Sequence, residues 1–217
     1  MKRTNTLPSY IDSPSSRTSL GGKLSHYRNK QIIYSQGTPA DTLFYIREGG
    51  VCLNTRSKYQ PPVVTAILGA GDFFGELCLV GVPDRVSTAV ALASSSIQVI
   101  KKESMIRMLR QRKMSISFVS YLLSSIQKHK DHVADLLILS AEQRLARVLL
   151  QLAHLDRRDS RVAGLAIVSQ QVLAEMVGTT RSRLNFFMNR FRKRGFINYS
   201  IRQIEVHKSL QKVLQRP

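Results

Sequence analysis

The chain has 217 residues and carries 33 Lys and Arg against 14 Asp and Glu, a net charge of +19. That length suits one large or two small domains, and 43% hydrophobic residues suffice for real cores. Such a charge attracts polyanions, while two cysteines, Cys52 and Cys78, are too few for a disulfide framework or a four-cysteine iron–sulfur site.

Residues 1–20 are polar, rich in Ser, Thr and Pro, and lack an apolar signal core, so they read as a mobile tail. No apolar run of about 18 uncharged residues occurs; the longest candidate, Val63–Val82, contains Asp72 and Glu76. No amphipathic membrane anchor is evident, and the expected location is cytoplasmic. From Tyr27 to Lys101 short apolar runs are punctuated by glycine: QIIYSQ, DTLFYIRE, VVTAIL, STAVALA and SIQVIKK. Strands at that spacing predict an antiparallel barrel or roll, with the sensor domain drawn over residues 21–113.

Within this region the segment GDFFGELCLVGVPDRVSTAV carries chemistry. Gly71 and Gly75 allow sharp turns, and Gly75-Glu76-Leu77 opens a short helix whose free N–H groups suit an anion. Glu76 sits among apolar neighbours, and Arg85 is the cation that would balance a buried anion. A carboxylate accepts a ribose hydroxyl and a guanidinium grips a phosphate bidentately; the plainer alternative is a Glu76–Arg85 salt bridge on the rim. Cys78 is either a small buried residue or a redox-sensing thiol activated by the helix start.

Glu103–Arg110 reads as a short helix, followed by a long one over Ile116–Leu139 without Gly or Pro. Val119, Leu122, Ile126, His129, Val133 and Leu136 alternate in steps of three and four, a heptad seam that calls for a partner helix, most simply its own copy. Leu123 and Leu137 are then left to face the roll. On the seam His129 contacts a ligand base, senses pH or packs as a neutral core residue; with His132 and Asp135 nearby it still makes no convincing metal site. Ser140 and Gln143 form a capping box that starts AEQRLARVLLQLA, so the Leu139–Ser140 break is a natural hinge. The dimerisation helix is drawn over 114–139, and His154–Gly164 as a polar connector.

The run SQQVLAEMVGTTRSRLNFFMNRFRKR is the most informative of all. Leu173 and Val177 form one inner stripe, Ala174 allows a close crossing, and Gly178 can take the positive φ of a turn. Thr180 is an N-cap, and Leu184, Phe187, Met188 and Phe191 make the inner face of a second helix. Arg181, Ser182, Arg183 and Asn185 then point outward, side chains suited to base edges and phosphates in a major groove. Gly195 ends that helix, GFINYS and QIEVHK read as a two-stranded wing, and SLQKVLQ as a final short helix. From Ser140 onward 15 Lys and Arg stand against 5 Asp and Glu, so the positive charge is densest there. The fold class is α+β: an N-terminal antiparallel β-roll, a long dimerisation helix and a C-terminal winged helix-turn-helix over 140–217. No serine or cysteine sits in a nucleophile elbow, so no enzyme is read; a cyclic-nucleotide hydrolase is the alternative from another class.

This layout resembles the Crp/Fnr family of bacterial transcription regulators over residues 21–210. FGEL at 74–77, with Arg85 nine residues after Glu76 and then Val86-Ser87-Thr88, is similar to the family's phosphate-binding cassette for cyclic nucleotides. The resemblance implies that Glu76 holds the ribose hydroxyl and Arg85 the cyclic phosphate. It also implies help from backbone N–H groups of Gly75, Leu77 and Cys78 and near Val86 and Ser87. His129 and Lys130 fall where members that bind cAMP carry small hydroxyl residues facing the purine. The implied ligand is cAMP, cGMP or another cyclic nucleotide, the alternative being a vestigial pocket in a ligand-independent regulator. By family register Ser169, Gln171, Thr180 and Arg183 contact phosphates, while Arg181, Ser182 and Asn185 read bases. Members often keep Glu and Arg where Ser182 and Phe186 stand here, which implies a different operator. The implied partners are a near-palindromic double-stranded operator, a second copy of the chain, and RNA polymerase.

Overall fold

The computed structural model describes residues 22–56, 63–155, 163–166, 170–199 and 203–215. The tail 1–20, Ser169 and most of the proposed connector lie outside the described residues. Two compact units emerge, dividing the long helix between Asp131 and His132.

The N-terminal half holds strands β1 (Lys23–Tyr27), β2 (Ile32–Tyr34), β3 (Thr42–Glu48), β4 (Gly50–Thr55), β5 (Val63–Gly69), β6 (Phe73–Phe74), β7 (Thr88–Ala91) and β8 (Ser95–Lys101). They form two four-stranded sheets, ordered β1-β8-β3-β6 and β2-β7-β4-β5. The central strand β3 is apolar on both faces, and alternation splits its side chains between two cores. Phe44 and Ile46 join Val51, Phe74, Ala89 and Ile97 inside the roll. Leu43 and Tyr45 face the other way, onto Phe73, Cys78, Ile100, Met105, Met114, Phe118 and Tyr121. That second core is where helices α1 (Lys102–Leu109) and α2 (Arg112–Ile138) dock. Between β6 and β7 the chain makes only a 3-10 helix, Glu76–Val80, started and stopped by Gly75 and Gly81 in left-handed conformation.

The long helix corrects the assignment of Leu123 and Leu137 to the roll. Leu122 packs against the roll beside Phe118 and Tyr121, whereas Leu123 and Leu137, expected to serve the roll, are 62% and 83% exposed. The exposed apolar stripe is Ile116, Val119, Leu123, Ile126, Val133 and Leu137, with Lys130 in the same heptad register. The two candidate stripes lie one residue apart and share Val119, Ile126 and Val133, so spacing alone left the choice open. The docking of Met114, Phe118 and Tyr121 favours the second stripe, because those three fix which side of the helix faces the roll.

The second unit contains α3 (Ala141–Leu155), β9 (Ala163–Ala166), α4 (Gln170–Val177), α5 (Arg181–Lys193), β10 (Ile197–Tyr199), β11 (Gln203–Val206) and a 3-10 helix, Lys208–Gln215. The expected capping box forms: Ser140 N–H donates to Gln143 Oε1 (3.0 Å), and Gln143 N–H to Ser140 Oγ (3.3 Å). The wing is three-stranded, in the order β10-β11-β9, rather than two-stranded. Ala163 and Gly164, read as connector, begin β9 and pair with Val206 and Glu205. No helix among the described residues is long and apolar enough to cross a membrane.

Candidate nucleic-acid interface and anion pocket

The helix-turn-helix is built as its sequence pattern requires. Leu173, Ala174 and Val177 of α4 and Leu184, Phe187, Met188 and Phe191 of α5 are buried against one another and α3. Gly178 sits at φ 63°, a conformation costly for any residue with a Cβ. Thr180 caps α5, its hydroxyl accepting from Arg183 N–H at 3.3 Å. At the far end Phe196 N–H returns to the Phe191 carbonyl (2.9 Å), and Gly195 takes φ 67°.

Burying that inner face leaves Arg181, Ser182 and Arg183 exposed and Asn185 half-buried. None of these four side chains is committed to a hydrogen bond or ion pair among the described residues. Gln171 is exposed as well, bonded to Glu175 Oε1 at 2.9 Å. Phe186 stands 62% exposed with its ring edge against Phe187. Two residues missed by the sequence reading extend the row: Asn189 and Arg192 line one groove with Gln170, Asn185 and Met188. Their signal was available, since they lie four and seven positions beyond Asn185 on one helical face. Arg190, by contrast, turns inward to Glu142 Oε2 at 3.0 Å.

In the roll, Arg85 is 6% exposed. Its guanidinium lies 4.5 Å from the Tyr34 ring centre and 5.3 Å from that of Phe44. Nη2 donates to Thr42 Oγ1 (2.8 Å) and Nη1 to the Gly75 carbonyl (3.3 Å), while Nε is buried without a partner. Gly75 takes φ 75° there, a conformation costly for a residue with a Cβ, which would also come within 2.6 Å of Arg85 Nη1. The rim salt bridge does not form: Arg85 is inside rather than on the rim, and no ion pair joins it to Glu76. A buried cation with an orphaned N–H and no ion pair among the described residues is the donor set an anion would complete. Ser87 is buried and hydrogen-bonded to Tyr34, whose hydroxyl is pushed above its ordinary range by burial. Leu77 and Val86 are exposed.

Cys78 is 1% exposed within the core that receives the helices, and burial pushes its thiol up. Desolvation outweighs any lowering by a helix start, which favours the small buried residue over the redox-sensing thiol. His129 and Lys130 are exposed on α2, and the His129 Nδ1 is within 3.0 Å of the Ser125 carbonyl. Within a single chain His129 packs against no core, which leaves it free to face a ligand or a second copy. Tyr121 was also missed: its hydroxyl donates to the Phe73 carbonyl (3.0 Å) and accepts from the Phe73 amide (2.7 Å), two residues before Gly75.

Residues 24–112 match the cyclic nucleotide-binding domain family, and residues 143–209 the Crp-like helix-turn-helix domain family. The chain is similar to the CRP-like cAMP-activated global transcriptional regulator of Mycobacterium tuberculosis, 26% identical over 170 residues, 76% of this chain and 75% of the relative. It is also similar to the cAMP-activated global transcriptional regulator CRP of Salmonella typhimurium, 25% identical over 209 residues, 91% of this chain and 98% of the relative. A CRP-family transcriptional regulator from Thermus thermophilus shares the fold with a TM-score of 0.75 at 22% identity, covering 88% of this chain and 97% of that one.

Proposed function

Because this chain belongs to the Crp/Fnr family of DNA-binding transcription regulators, we propose that it acts as a cytoplasmic homodimer on a near-palindromic operator, under control of an anionic ligand in the roll. The observation that carries the operator reading is the outward row of α5, exposed at Arg181, Ser182 and Arg183 and uncommitted among the described residues. Arg181 is assigned to a guanine through O6 and N7, Ser182 and Asn185 to neighbouring bases, and Phe186 to a thymine methyl. Gln171, Thr180 and Arg183 are assigned to phosphates, with Ser169 beside them in the sequence. The exposed stripe of α2 supplies the seam for the second copy.

The ligand reading rests on Arg85, whose burial and orphaned Nε suit a phosphate of the cyclic-nucleotide class. Such a ligand would supply negative charge at the guanidinium and a hydroxyl within reach of the half-exposed Glu76. A second reading has its own support: Tyr34, Phe44 and Phe74 pack the interior beside Arg85, with ring centres 4.8–5.9 Å apart. A roll so filled favours either a small ligand or operation without one. Operator selection from random DNA, with the chain alone and with cAMP, cGMP or a cyclic dinucleotide, separates these. A paired site enriched only with nucleotide is expected. Enrichment unaffected by any nucleotide, together with no calorimetric heat at millimolar concentration, removes the ligand but leaves the DNA reading standing. Recovery of single half-sites only would remove the dimeric operator. Arg181→Ala is expected to cost about 1–3 kcal/mol at one base position; equal loss on every sequence would make it a phosphate contact.

A further inference from the structure

The break between α2 and α3 at Leu139–Ser140 has the look of a hinge, yet its surroundings are braced. Arg144, on the first turn of α3, spreads one guanidinium over the ends of two other helices. Nε donates to the Val177 carbonyl at 2.7 Å, and Nη2 to the Gly178 carbonyl at 3.4 Å. Nη1 donates to the Leu139 carbonyl at 2.8 Å and to that of Leu136 at 3.4 Å. All four acceptors belong to helix C-termini, where carbonyls lack intrahelical partners and the dipole favours a cation. The Leu136 carbonyl is left over because Ser140 N–H, its natural helical donor, turns to Gln143. Val177 and Gly178 are the end of α4 and the turn before α5.

Two further ties converge on α3. Arg147 Nη1 meets both carboxylate oxygens of Asp135, at 2.6 and 2.7 Å, on the penultimate turn of α2. Glu142 holds Arg190 of the recognition helix at 3.0 Å. The end of α2, the helix-turn-helix turn and α5 are thus each fastened to α3 by a charged hydrogen bond.

We propose that Arg144 is a positioning residue that locks the last turn of α2 to the turn of the helix-turn-helix, making Leu139–Ser140 a braced elbow. The recognition helix then keeps a fixed angle to the end of α2, and reorientation of α2 reaches it undiminished. A planar five-donor fork is needed for this; an ammonium holds one helix end at a time.

The consequence is geometric and can be read without knowing the ligand. A dimer with braced elbows demands one separation between half-sites, since half-site spacing mirrors the distance between recognition helices. The test uses the full chain, its selected operator, versions with one base pair added or removed between half-sites, and a single half-site duplex. Wild type is expected to lose about tenfold or more in affinity on either spacing change, the scale of one charge-assisted hydrogen bond. Arg144→Met is expected to bring the three spacings within about threefold while single half-site affinity stays within about threefold. Arg144→Lys keeps the charge and the fold, verified by cooperative thermal unfolding, and is expected to flatten the preference likewise; it decides the matter should Arg144→Met fail to fold. The proposal is overturned by a folded variant that keeps the wild-type preference. It is equally overturned by a variant that loses half-site and operator binding in proportion, or by a wild type indifferent to spacing.

Discussion

Tyr121 holds both polar groups of a single strand residue. Its hydroxyl sits between the amide and carbonyl of Phe73, in a two-residue strand that leads directly into Gly75 and Glu76. Nothing in the helical spacing of α2 marks this residue, because a tyrosine on an inner face reads only as bulk. The burial that makes the bond effective also raises the phenol well above its ordinary value, with Asp72 adding to the effect. A phenol that holds its proton more tightly when folded stabilises the fold fully below the unfolded value, near about pH 10. That contribution is lost as pH climbs from there towards the folded value, because the unfolded chain releases its proton first. Tyr121→Phe is therefore expected to cost about 1–3 kcal/mol at neutral pH, by stranding the Phe73 amide and carbonyl. The variant should then lose less stability than wild type between about pH 8 and about pH 11. Chemical denaturation at the two values checks this; parallel losses in both proteins would mean the buried phenol does not carry the effect.

Elements were legible in proportion to how strongly their own pattern repeats. The helix-turn-helix came through to the residue because an N-cap, a positive-φ glycine and two apolar stripes agree. Strands β1, β4, β6 and β9 did not, although β4 (GVCLNT) carries apolar residues of its own. KLSHY is half-exposed at a sheet edge, FF is only two residues long, and AGLA carries little β-propensity. Arg85 was picked out as a balancing cation, but its burial against Tyr34 depends on a contact between distant segments that no local pattern encodes. The α2 seam shows the same limit, and it can be tested directly. In the exposed register Leu123 meets its own copy, whereas in the register read from spacing His129 does. Leu123→Glu would remove two apolar contacts and oppose two carboxylates, weakening self-association by about 3 kcal/mol or more. His129→Glu, flanking the seam, is expected to leave the dimer within about tenfold of wild type. Sedimentation equilibrium of the two variants distinguishes the registers; dissociation by His129→Glu alone would restore the other one.

Across the whole molecule, a net charge of +19 and a DNA-reading helix do different work. Long-range charge brings the chain to any polyanion and is screened by salt, whereas base contacts discriminate and are not. The positive excess is spread over the chain rather than confined to α5: residues 1–139 carry 18 Lys and Arg against 9 Asp and Glu. Sequence-independent binding should accordingly be strong at low salt, and affinity measured there would understate specificity. Arg183 and Arg181 separate the two contributions, since both are exposed near the start of α5 but are assigned to different parts of the duplex. Each phosphate neutralised contributes about −0.9 to the slope of log affinity against log salt. Arg183→Ala in a dimer bound to two half-sites should thus flatten that slope by about 2, with similar losses on specific and random DNA. Arg181→Ala should leave the slope nearly unchanged and bring specific and random affinities closer together, because it removes a base contact. Salt titrations of operator and random duplex with both variants measure this. Interchanged behaviour would move Arg183 to the base edges and Arg181 to the backbone, rotating the recognition helix in its groove while leaving the fold as described.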